Sequence, residues 1–430
     1  MEKFAELSIQ NFRAIKDANI TLNGITVVSG INGCGKSTMS KLLYYIFRNV
    51  NSYEEIVADS IRQSIEPYQS ALTSILRSVR YSNTLTYRHY MMLRSGLEDL
   101  NIESTSKYIE YLKSLKISLI DILANDKHAD IRFLERDLYI IKSTLGLDAK
   151  NKVDLPLMIE QIIEKMIGKL EKFNDLAIER PYNLFARRME DFFETDVLKN
   201  VTLKEYESFI YGHGLKNVPE LHYIKKVAYI DTPMVIGQTI SSQQPVYWKE
   251  INDLAKMPPR KGYKLSINKH IKQNIMNGEA SFDDDYFAGG FRYNRADGKV
   301  FDLADCATGI KSFSIMQMLL KNLFLGEKTL MILDEPEAHL HPQWIVEYAN
   351  LIVLLHKRLG VKFFITSHST DMVSAIRYIS ERAKCLNNVS FYLAEQVGNE
   401  YYSYKYLKDN IEPIFKSFNK SYDKLDEYAR

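Results

Sequence analysis

Eight consecutive residues near the start of the chain have the types and spacing needed to hold phosphate groups. The run Gly30-Ile31-Asn32-Gly33-Cys34-Gly35-Lys36-Ser37 fits the pattern G-x-x-x-x-G-K-[ST]. It lies between a short β-branched run and a stretch with helical spacing, which is the context that the pattern requires. Glycines let backbone N–H groups surround phosphates, and the new helix points its positive end at them. Lys36 would reach the β and γ phosphates of a nucleotide, and Ser37 could ligate Mg²⁺. The expected phosphate-binding residues are Asn32, Gly33, Cys34, Gly35, Lys36, Ser37 and Thr38.

A second candidate feature is an apolar run that ends in two acids. Leu330-Met331-Ile332-Leu333 predicts a buried strand, and Asp334 and Glu335 follow it directly. Acids at the end of a strand occur in many α/β folds, so this pair is informative only beside the phosphate loop. In that combination we expect Asp334 to hold Mg²⁺ through its water shell and Glu335 to orient or deprotonate the attacking water.

His368 follows another apolar run, in the segment "ITSHS". The end of a neighbouring strand would place it near the γ-phosphate. A single histidine at a strand end is more often structural, but the two preceding features favour a catalytic role for it.

The order of the expected elements indicates an α/β fold that is interrupted by helices. "AELSIQNF" and "GITVVSG" predict strands, and "KSTMSKLLYYIF" predicts a helix after the phosphate loop. Strands and helices alternate again in the last third of the chain. Between these parts, apolar residues recur three and four positions apart without a sustained heptad, which favours a compact helical lobe. We therefore expect an N-terminal part at 1–51, a helical insertion at 52–216 and a C-terminal part at 217–430.

Composition narrows the class of protein. A chain of 430 residues is long enough for at least two lobes, and 46% hydrophobic residues with 26% charged ones are ordinary for a globular protein. Lys plus Arg number 56 against 54 for Asp plus Glu, so no global charge indicates a nucleic-acid partner. Three distant cysteines form no metal or disulfide pattern. The absence of a targeting segment and of a long apolar run predicts a cytoplasmic protein without a membrane segment.

Together these motifs resemble the ABC-type ATPase head shared by SMC proteins, RecF-like proteins and the overcoming-lysogenization-defect ATPases. The resemblance covers "IQNFRAIKDANITLNGITVVSGINGCGKST", "ATGIKS", "LDEPEAHLHP", "ITSHS" and the C-terminal "FYLAEQVGNEYYSYKYLKDNIEPIFKSF". It spans both ends of the chain and leaves the insertion unassigned. It implies that ATP with Mg²⁺ is bound between two heads, in a homodimer or a higher homo-oligomer. It further implies that Arg13 lies near the nucleotide, that Glu335 is the catalytic base and that His368 is the switch histidine. The loop from Pro336 to Pro342 would contact the opposite subunit.

The signature segment departs from the family pattern. By the resemblance, Thr308, Gly309 and Lys311 would contact the nucleotide held by the other head. Ala307 stands where the family has a serine, and the lost hydroxyl is of a kind typically worth about 1.5 to 3 kcal/mol toward a charged acceptor. Either Thr308 supplies a hydroxyl instead, or the closed dimer is weaker or slower; the segment could also be a plain helix start. Candidates for the Q-loop residue are Asp231, Gln238, Gln243 and Gln244.

Three functions compete for such a head. Its short length resembles the ATPase subunits of bacterial anti-phage systems of the Septu, retron-associated and PARIS type, which implies a separate effector, often a nuclease, since no TOPRIM nuclease pattern follows Thr370. The alternative is a stand-alone SMC-like or RecF-like ATPase that binds DNA or RNA. A transporter subunit is disfavoured by the large insertion. The basic residues that could contact a phosphate backbone are Lys225, Lys226, Lys256, Arg260, Lys261, Lys264, Lys269 and Lys272.

Overall fold

The computed structural model divides the chain into two units. The described residues are 4–81, 86–98, 105–125, 135–146, 154–193, 199–238, 241, 243–284, 289–338 and 340–418. One unit combines Met1–Asn51 with Met189–Arg430, and the other is Ser52–Arg188. The sequence analysis placed the end of the insertion at residue 216 instead, because it did not anticipate two strands that belong to the first unit.

The β-strands and α-helices within the described ranges are as follows. The strands are β1 (Ala5–Phe12), β2 (Ile15–Leu22), β3 (Ile25–Ser29), β4 (Val201–Glu205), β5 (Ser208–Tyr211), β6 (Lys226–Ile230), β7 (Gly278–Asp283), β8 (Gly290–Arg295), β9 (Val300–Asp302), β10 (Thr329–Asp334), β11 (Lys362–Ser367), β12 (Val389–Val397) and β13 (Tyr401–Lys408). The helices are α1 (Lys36–Asn51), α2 (Tyr53–Tyr81), α3 (Tyr87–Glu98), α4 (Thr105–Asn125), α5 (Glu135–Leu145), α6 (Leu155–Glu179), α7 (Tyr182–Phe193), α8 (Val246–Lys256), α9 (Leu265–His270), α10 (Thr308–Lys321), α11 (Pro342–Leu359) and α12 (Thr370–Arg382).

A ten-stranded mixed sheet forms the centre of the first unit, in the order β5-β4-β1-β2-β13-β12-β3-β11-β10-β6. The run from β12 to β6 is parallel throughout. Every side chain of β3, β10 and β11 is buried, as expected for parallel strands covered on both faces. The α/β fold with a phosphate loop between strand and helix, which the sequence predicts, is therefore confirmed.

Parallel pairing brings the candidate residues to one edge of this sheet. Because β3, β10 and β11 run in the same direction, the loops after their carboxyl ends lie side by side. These loops contain the glycine-rich run, Glu335 and His368. The helix α11 begins at Pro342 and ends before Gly360, whose φ of 72° gives the left-handed turn that glycine favours.

Two regions of the sheet were not predicted from the sequence. The strand β2 was missed, although it pairs with β1 along nearly its whole length. The hairpin β4–β5 was assigned to the helical insertion, yet β4 pairs with β1. It is held to the rest of the unit by buried Glu205, whose carboxylate accepts the backbone N–H groups of residues 222, 223 and 224 at 2.7 to 3.1 Å.

A smaller antiparallel sheet, β7-β8-β9, packs beside α10 in the same unit. A turn at Asp297 and Gly298 joins β8 to β9, and Gly298 has a φ of 87°. Residues 285–288, between β7 and β8, lie outside the described part of the chain.

The second unit is helical, as the three- and four-residue spacing predicts. Helix α2 packs against α3, α5 and α6, and α4 packs against α6. Helix α6 is capped by Asp154, whose carboxylate accepts the N–H of Leu157, and it buries Ile159, Ile162 and Ile163 along one face. Of the helices in the described ranges, none is long and apolar enough to cross a membrane.

Candidate active site

The phosphate loop has a backbone that only glycine adopts easily at two positions. Gly33 and Gly35 have φ values of 80° and 100°. A Cβ on Gly35 would also lie 2.6 Å from a side-chain carbon of Ile15, and one on Gly30 would lie 2.6 Å from Ala394. Side chains of the neighbouring strands β2 and β12 therefore pack directly against the loop. This crowding explains why the pattern needs glycine at 30 and 35.

The Lys36 side chain lies inside the phosphate loop. It is buried, and Nζ donates to the carbonyl oxygens of Gly30 and Ile31 at 3.1 and 3.0 Å. Both acceptors are neutral, whereas phosphate oxygens are charged and form stronger hydrogen bonds with an ammonium group. The side chain is thus positioned where an incoming phosphate would compete favourably for it.

Cys34 supports the loop through its carbonyl group. The Tyr404 hydroxyl, from β13, donates to the Cys34 carbonyl oxygen at 2.8 Å. The Cys34 side chain is buried and turned toward Gly30 and Tyr404. Any contact of Cys34 with a nucleotide would therefore come from its backbone. The sequence offered no signal for Tyr404, which reaches the loop only because β13 lies two strands from β3.

One pocket of about 330 Å³ unites most of the predicted residues. Small-molecule sites typically measure about 300 to 1,000 Å³. Its lining comprises Arg13, Ala14, Asn32, Gly33, Gly35, Lys36, Ser37, Thr38 and Glu335. The structure therefore brings the phosphate loop together with the expected base and with the arginine of the "NFR" segment.

Contacts with two aromatic residues fix Arg13 beside this pocket. Its guanidinium carbon lies 5.6 Å from the ring centre of Phe12 and 5.4 Å from that of Phe193, and one nitrogen donates to the Phe193 carbonyl oxygen at 3.2 Å. The backbone of Arg13 has a φ of 52°, which is uncommon for a residue with a side chain. Sequence alone did not indicate Phe193, the last residue of α7, as a partner of Arg13.

Asp334 is buried at the end of β10, and both of its carboxylate oxygens are hydrogen-bonded. The Tyr229 hydroxyl donates to Oδ2 at 2.8 Å, and the Thr366 hydroxyl donates to Oδ1. Burial, together with the charge of Asp334, raises the pKa of Tyr229, so the phenol stays a donor. These two residues orient the carboxylate, and neither was identified from the sequence.

Glu335 has an unusual backbone conformation that the neighbouring strand holds. Its φ is 53°, which costs a residue with a side chain about 1 to 2 kcal/mol. Its N–H lies 3.0 Å from the carbonyl oxygen and 3.2 Å from the hydroxyl oxygen of Thr366. Strain of this kind is concentrated at functional sites. Glu335 lines the phosphate-loop pocket, whereas Asp334 is buried and does not line it.

His368 follows β11 and lies against Glu335, but it does not line the phosphate-loop pocket itself. Its Nε2 is 2.6 Å from Oε1 of Glu335. The segment that carries it, 367–369, is bound by Glu337, and burial raises the pKa of Glu337 above its ordinary value. The sequence analysis included Glu337 only as part of the loop from Pro336 to Pro342.

The signature residues lie outside the pocket of their own chain. Gly309 is pressed against the Trp344 ring, where a Cβ would come within 2.1 Å. Lys311 is buried and donates to the Ala304 carbonyl oxygen at 2.6 Å. Thr308 is the first residue of α10, and Ala307 makes no side-chain capping hydrogen bond. These features are those of an ordinary helix start. Because the segment lies outside the pocket of its own chain, any contact with a nucleotide would need a second copy of the chain.

The Q-loop candidates also lie outside the pocket. Asp231 follows β6 and accepts hydrogen bonds from the Tyr247 hydroxyl at 3.0 Å and from the Trp248 indole at 2.8 Å. The Gln244 side chain accepts the N–H of Ser241 at 3.0 Å. None of the four candidates, which are Asp231, Gln238, Gln243 and Gln244, is singled out by these contacts.

The chemistry of the donor set fits Mg²⁺ bound together with phosphates. No cluster of three or more His, Cys, Asp or Glu side chains in the described ranges could hold a metal ion alone. Mg²⁺ usually keeps several waters and takes one or two protein oxygens beside substrate phosphates. Ser37 and Asp334 are the oxygen donors that would hold it here.

Comparisons with known proteins agree with this geometry. A family model described as an AAA ATPase domain matches residues 3–373, so this chain belongs to that family. No curated protein sequence matches the chain.

Solved structures with a distant likeness include SMC heads. The Smc head domain of Pyrococcus furiosus, with an extended coiled coil and bound to the C-terminal domain of ScpA, is 12% identical over 99% of both chains, with a TM-score of 0.33. The SMC head domain from Thermotoga maritima is 9% identical over 94% of this chain and 98% of that one, with a TM-score of 0.36.

Proposed function

We propose that this chain binds ATP with Mg²⁺ and hydrolyses it. The observation that carries the proposal is the presence of Glu335 in the lining of the phosphate-loop pocket. Lys36 and the loop amides would bind the phosphates, while Ser37 and Asp334 would hold Mg²⁺, which would supply positive charge to neutralise the phosphates during the reaction. Arg13 would lie beside the nucleotide. Glu335 would orient the attacking water or take its proton, with His368 as its neighbour.

The proposed hydrolysis requires two copies of the chain. Thr308, Gly309 and Lys311 lie outside the pocket, and the resemblance to ABC-type heads assigns them to the nucleotide of an opposing subunit. Light scattering of the Glu335→Gln variant should show the mass double when ATP is added, because slow turnover traps the closed pair. A single-chain mass at every ATP concentration would contradict this part of the proposal.

The resemblance to anti-phage ATPases further suggests that the head controls a separate effector, for which a nuclease is the leading candidate. The test is to purify the Glu335→Gln protein with ATP from its native host and to identify the proteins and nucleic acids that accompany it. A stoichiometric nuclease would support the defence role. Bound DNA without a protein partner would favour the alternative, an SMC-like ATPase that acts on nucleic acid by itself.

One group of basic residues favours that alternative. Lys226 begins β6 and Lys225 precedes it, and both backbone N–H groups bond to the Lys328 carbonyl oxygen at 3.0 Å. Burial and the nearby charge of Arg260 lower the pKa of Lys226, so these cations are close together. Within the described ranges, Lys225, Lys226 and Arg260 have no carboxylate at ion-pair distance, whereas Lys256 and Lys272 pair with Asp253 and Glu279.

The cationic group lies at the amino ends of β6 and β10, the edge of the sheet opposite the phosphate loop. A phosphate backbone bound there would leave the nucleotide pocket accessible. Replacing Lys225, Lys226 and Arg260 together by alanine should weaken binding to duplex DNA, and binding to the unaltered protein should fall steeply with salt. A Lys256→Ala variant is the matched control, because that lysine already has an acidic partner. DNA affinity that does not change with salt would exclude this role.

A further inference from the structure

A single carboxylate oxygen of Glu337 gathers three donors from the segment after β11. Oε1 accepts the Ser367 hydroxyl at 2.8 Å, the His368 N–H at 2.7 Å and the Ser369 N–H at 3.1 Å. Hydrogen bonds to an ionised acceptor are shorter and stronger than neutral ones, and consecutive backbone N–H groups form a cradle for an anion. The cradle is therefore filled from within the chain, by a side chain of the loop after β10.

The same segment leads into α12, which reinforces its geometry. The Ser369 hydroxyl caps this helix by accepting the N–H of Met372 at 3.2 Å. A negative group at the start of a helix is favoured by the helix dipole. Glu337 thus binds residues 367–369 next to the start of α12, and the cap of this helix already fixes their backbone on that side. His368 therefore has little freedom to move.

Two separate contacts join the loops after β10 and β11. The N–H of Glu335 bonds to Thr366, and the Glu337 side chain bonds to residues 367–369. Between these contacts, Nε2 of His368 lies 2.6 Å from Oε1 of Glu335. Glu337 itself does not line the phosphate-loop pocket. Any effect it has on a reaction there must pass through His368 or Glu335.

We propose that Glu337 is the positioning residue that fixes His368 against Glu335. The inference rests on the proposed hydrolysis, because the geometry of His368 affects turnover only if Glu335 acts in the reaction. It assigns a function to an acid that the phosphate-loop and two-acid patterns do not include. A glutamine at 337 should replace it in part, because its carbonyl can accept the same donors. Its amide nitrogen would occupy the position of Oε2, which is buried without a hydrogen-bond partner among the described residues.

The decisive experiment is a double-mutant cycle with kcat and the dissociation constant of ATP measured separately. Glu337→Ala should lower kcat by about 10- to 100-fold, since a displacement of about 1 Å at a catalytic group can cost that much. ATP affinity should stay within about twofold because Glu337 does not reach the pocket. The Glu337→Gln variant should keep more activity than the alanine variant. Combining Glu337→Ala with His368→Ala should give the same kcat as His368→Ala alone.

Controls separate the possible failures of this inference. Glu381→Ala removes an exposed carboxylate of α12 that pairs with Arg377, and it should leave kcat unchanged. If Glu335→Gln lowers turnover while Glu337→Ala leaves kcat unchanged, or if the Glu337 and His368 effects multiply, the positioning role is overturned and the proposed hydrolysis stands.

If Glu335→Gln has no effect on turnover, the proposed function itself has failed. Amide hydrogen exchange then decides the structural part of the inference. The His368 and Ser369 amides should exchange faster in Glu337→Ala than in the unaltered protein, and equal rates would overturn the inference.

Discussion

Nε2 of His368 lies 2.6 Å from Oε1 of Glu335, although the two residues follow different strands. The strands β10 and β11 are parallel neighbours, so their carboxyl ends bring both side chains to one edge of the sheet. Glu335, which has a left-handed backbone, also lines the phosphate-loop pocket. This relationship makes a positioned base the central element of the proposed hydrolysis.

Replacing Lys36 by alanine should abolish ATP binding. The Lys36 ammonium group lies inside the phosphate loop, donates to the carbonyl oxygens of Gly30 and Ile31 and to the Cys34 sulfur, and would neutralise the β and γ phosphates. Titration calorimetry with ATP and Mg²⁺ measures the effect. Lys41→Ala is the matched control, because Lys41 belongs to the same helix but does not line the pocket. Unchanged affinity in the Lys36 variant would refute the assignment of the phosphate loop.

Removing the Tyr229 hydroxyl should increase the Mg²⁺ concentration that the reaction needs. Tyr229→Phe leaves Oδ2 of Asp334 without its phenol donor, and a hydrogen bond to a charged group is worth about 1.5 to 3 kcal/mol. We expect the half-saturating Mg²⁺ concentration to rise severalfold at saturating ATP, because the freed carboxylate is no longer held in its orientation toward the metal site. The Tyr247→Phe variant serves as control, since that hydroxyl bonds to Asp231. Identical Mg²⁺ dependence in all three proteins would show that Tyr229 does not orient the metal ligand.

A methyl group at position 309 should destabilise the first unit. The Cβ of Gly309→Ala would lie 2.1 Å from the Trp344 ring, so α10 and α11 would have to separate. Overpacking of this kind costs about 1 to 3 kcal/mol, and the melting temperature should fall accordingly. A Cβ on Gly326 would meet no atom within 4 Å, so Gly326→Ala is the comparison. Equal melting temperatures for the two variants would contradict the close packing of these helices.

The ion pairs of Glu279 should make stability depend on pH in the acidic range. Burial works against the charge, but the ammonium groups of Lys272 and Lys321 hold the pKa of Glu279 below its ordinary value of 4.5. A depressed carboxyl pKa contributes stability above the ordinary value, and this contribution is lost as the pH falls through the lowered pKa. Glu279→Gln should therefore reduce the free energy of unfolding by up to about 1 kcal/mol near neutral pH.

The same variant should differ less and less from the unaltered protein as the pH falls below 4.5 and through the lowered pKa of Glu279. Denaturant titrations near neutral pH and over the acidic range measure these differences. If the difference in the free energy of unfolding between the two proteins stays constant across this range, the carboxylate charge does not stabilise the fold.

Local patterns predicted much of the head from sequence. The phosphate loop, the apolar runs of β10 and β11 and the helices after them all have strong short-range signals, and the structure places them as expected. The contacts of Tyr229, Glu337 and Tyr404 had no such signal. Each depends on the strand order β13-β12-β3-β11-β10-β6, which joins segments far apart in the chain.

The sheet edge was missed for a related reason. In β4 the buried positions Val201 and Leu203 alternate with polar residues, and Glu205 is a buried acid. A charged residue at an inward position hides the alternation that identifies a strand. The three backbone N–H groups that bond to Glu205, in residues 222 to 224, could be recognised only in the folded chain.

The measurement that tests the account most directly is ATP hydrolysis by the Glu335→Gln variant, with ATP affinity measured on the same protein. Glutamine keeps the shape of the side chain but cannot accept a proton from water. We expect turnover to fall by roughly 10² or more, as is typical when a positioned base is lost, while ATP and Mg²⁺ still bind. Turnover equal to that of the unaltered protein would contradict the role of Glu335 as the base and, with it, the proposed mechanism.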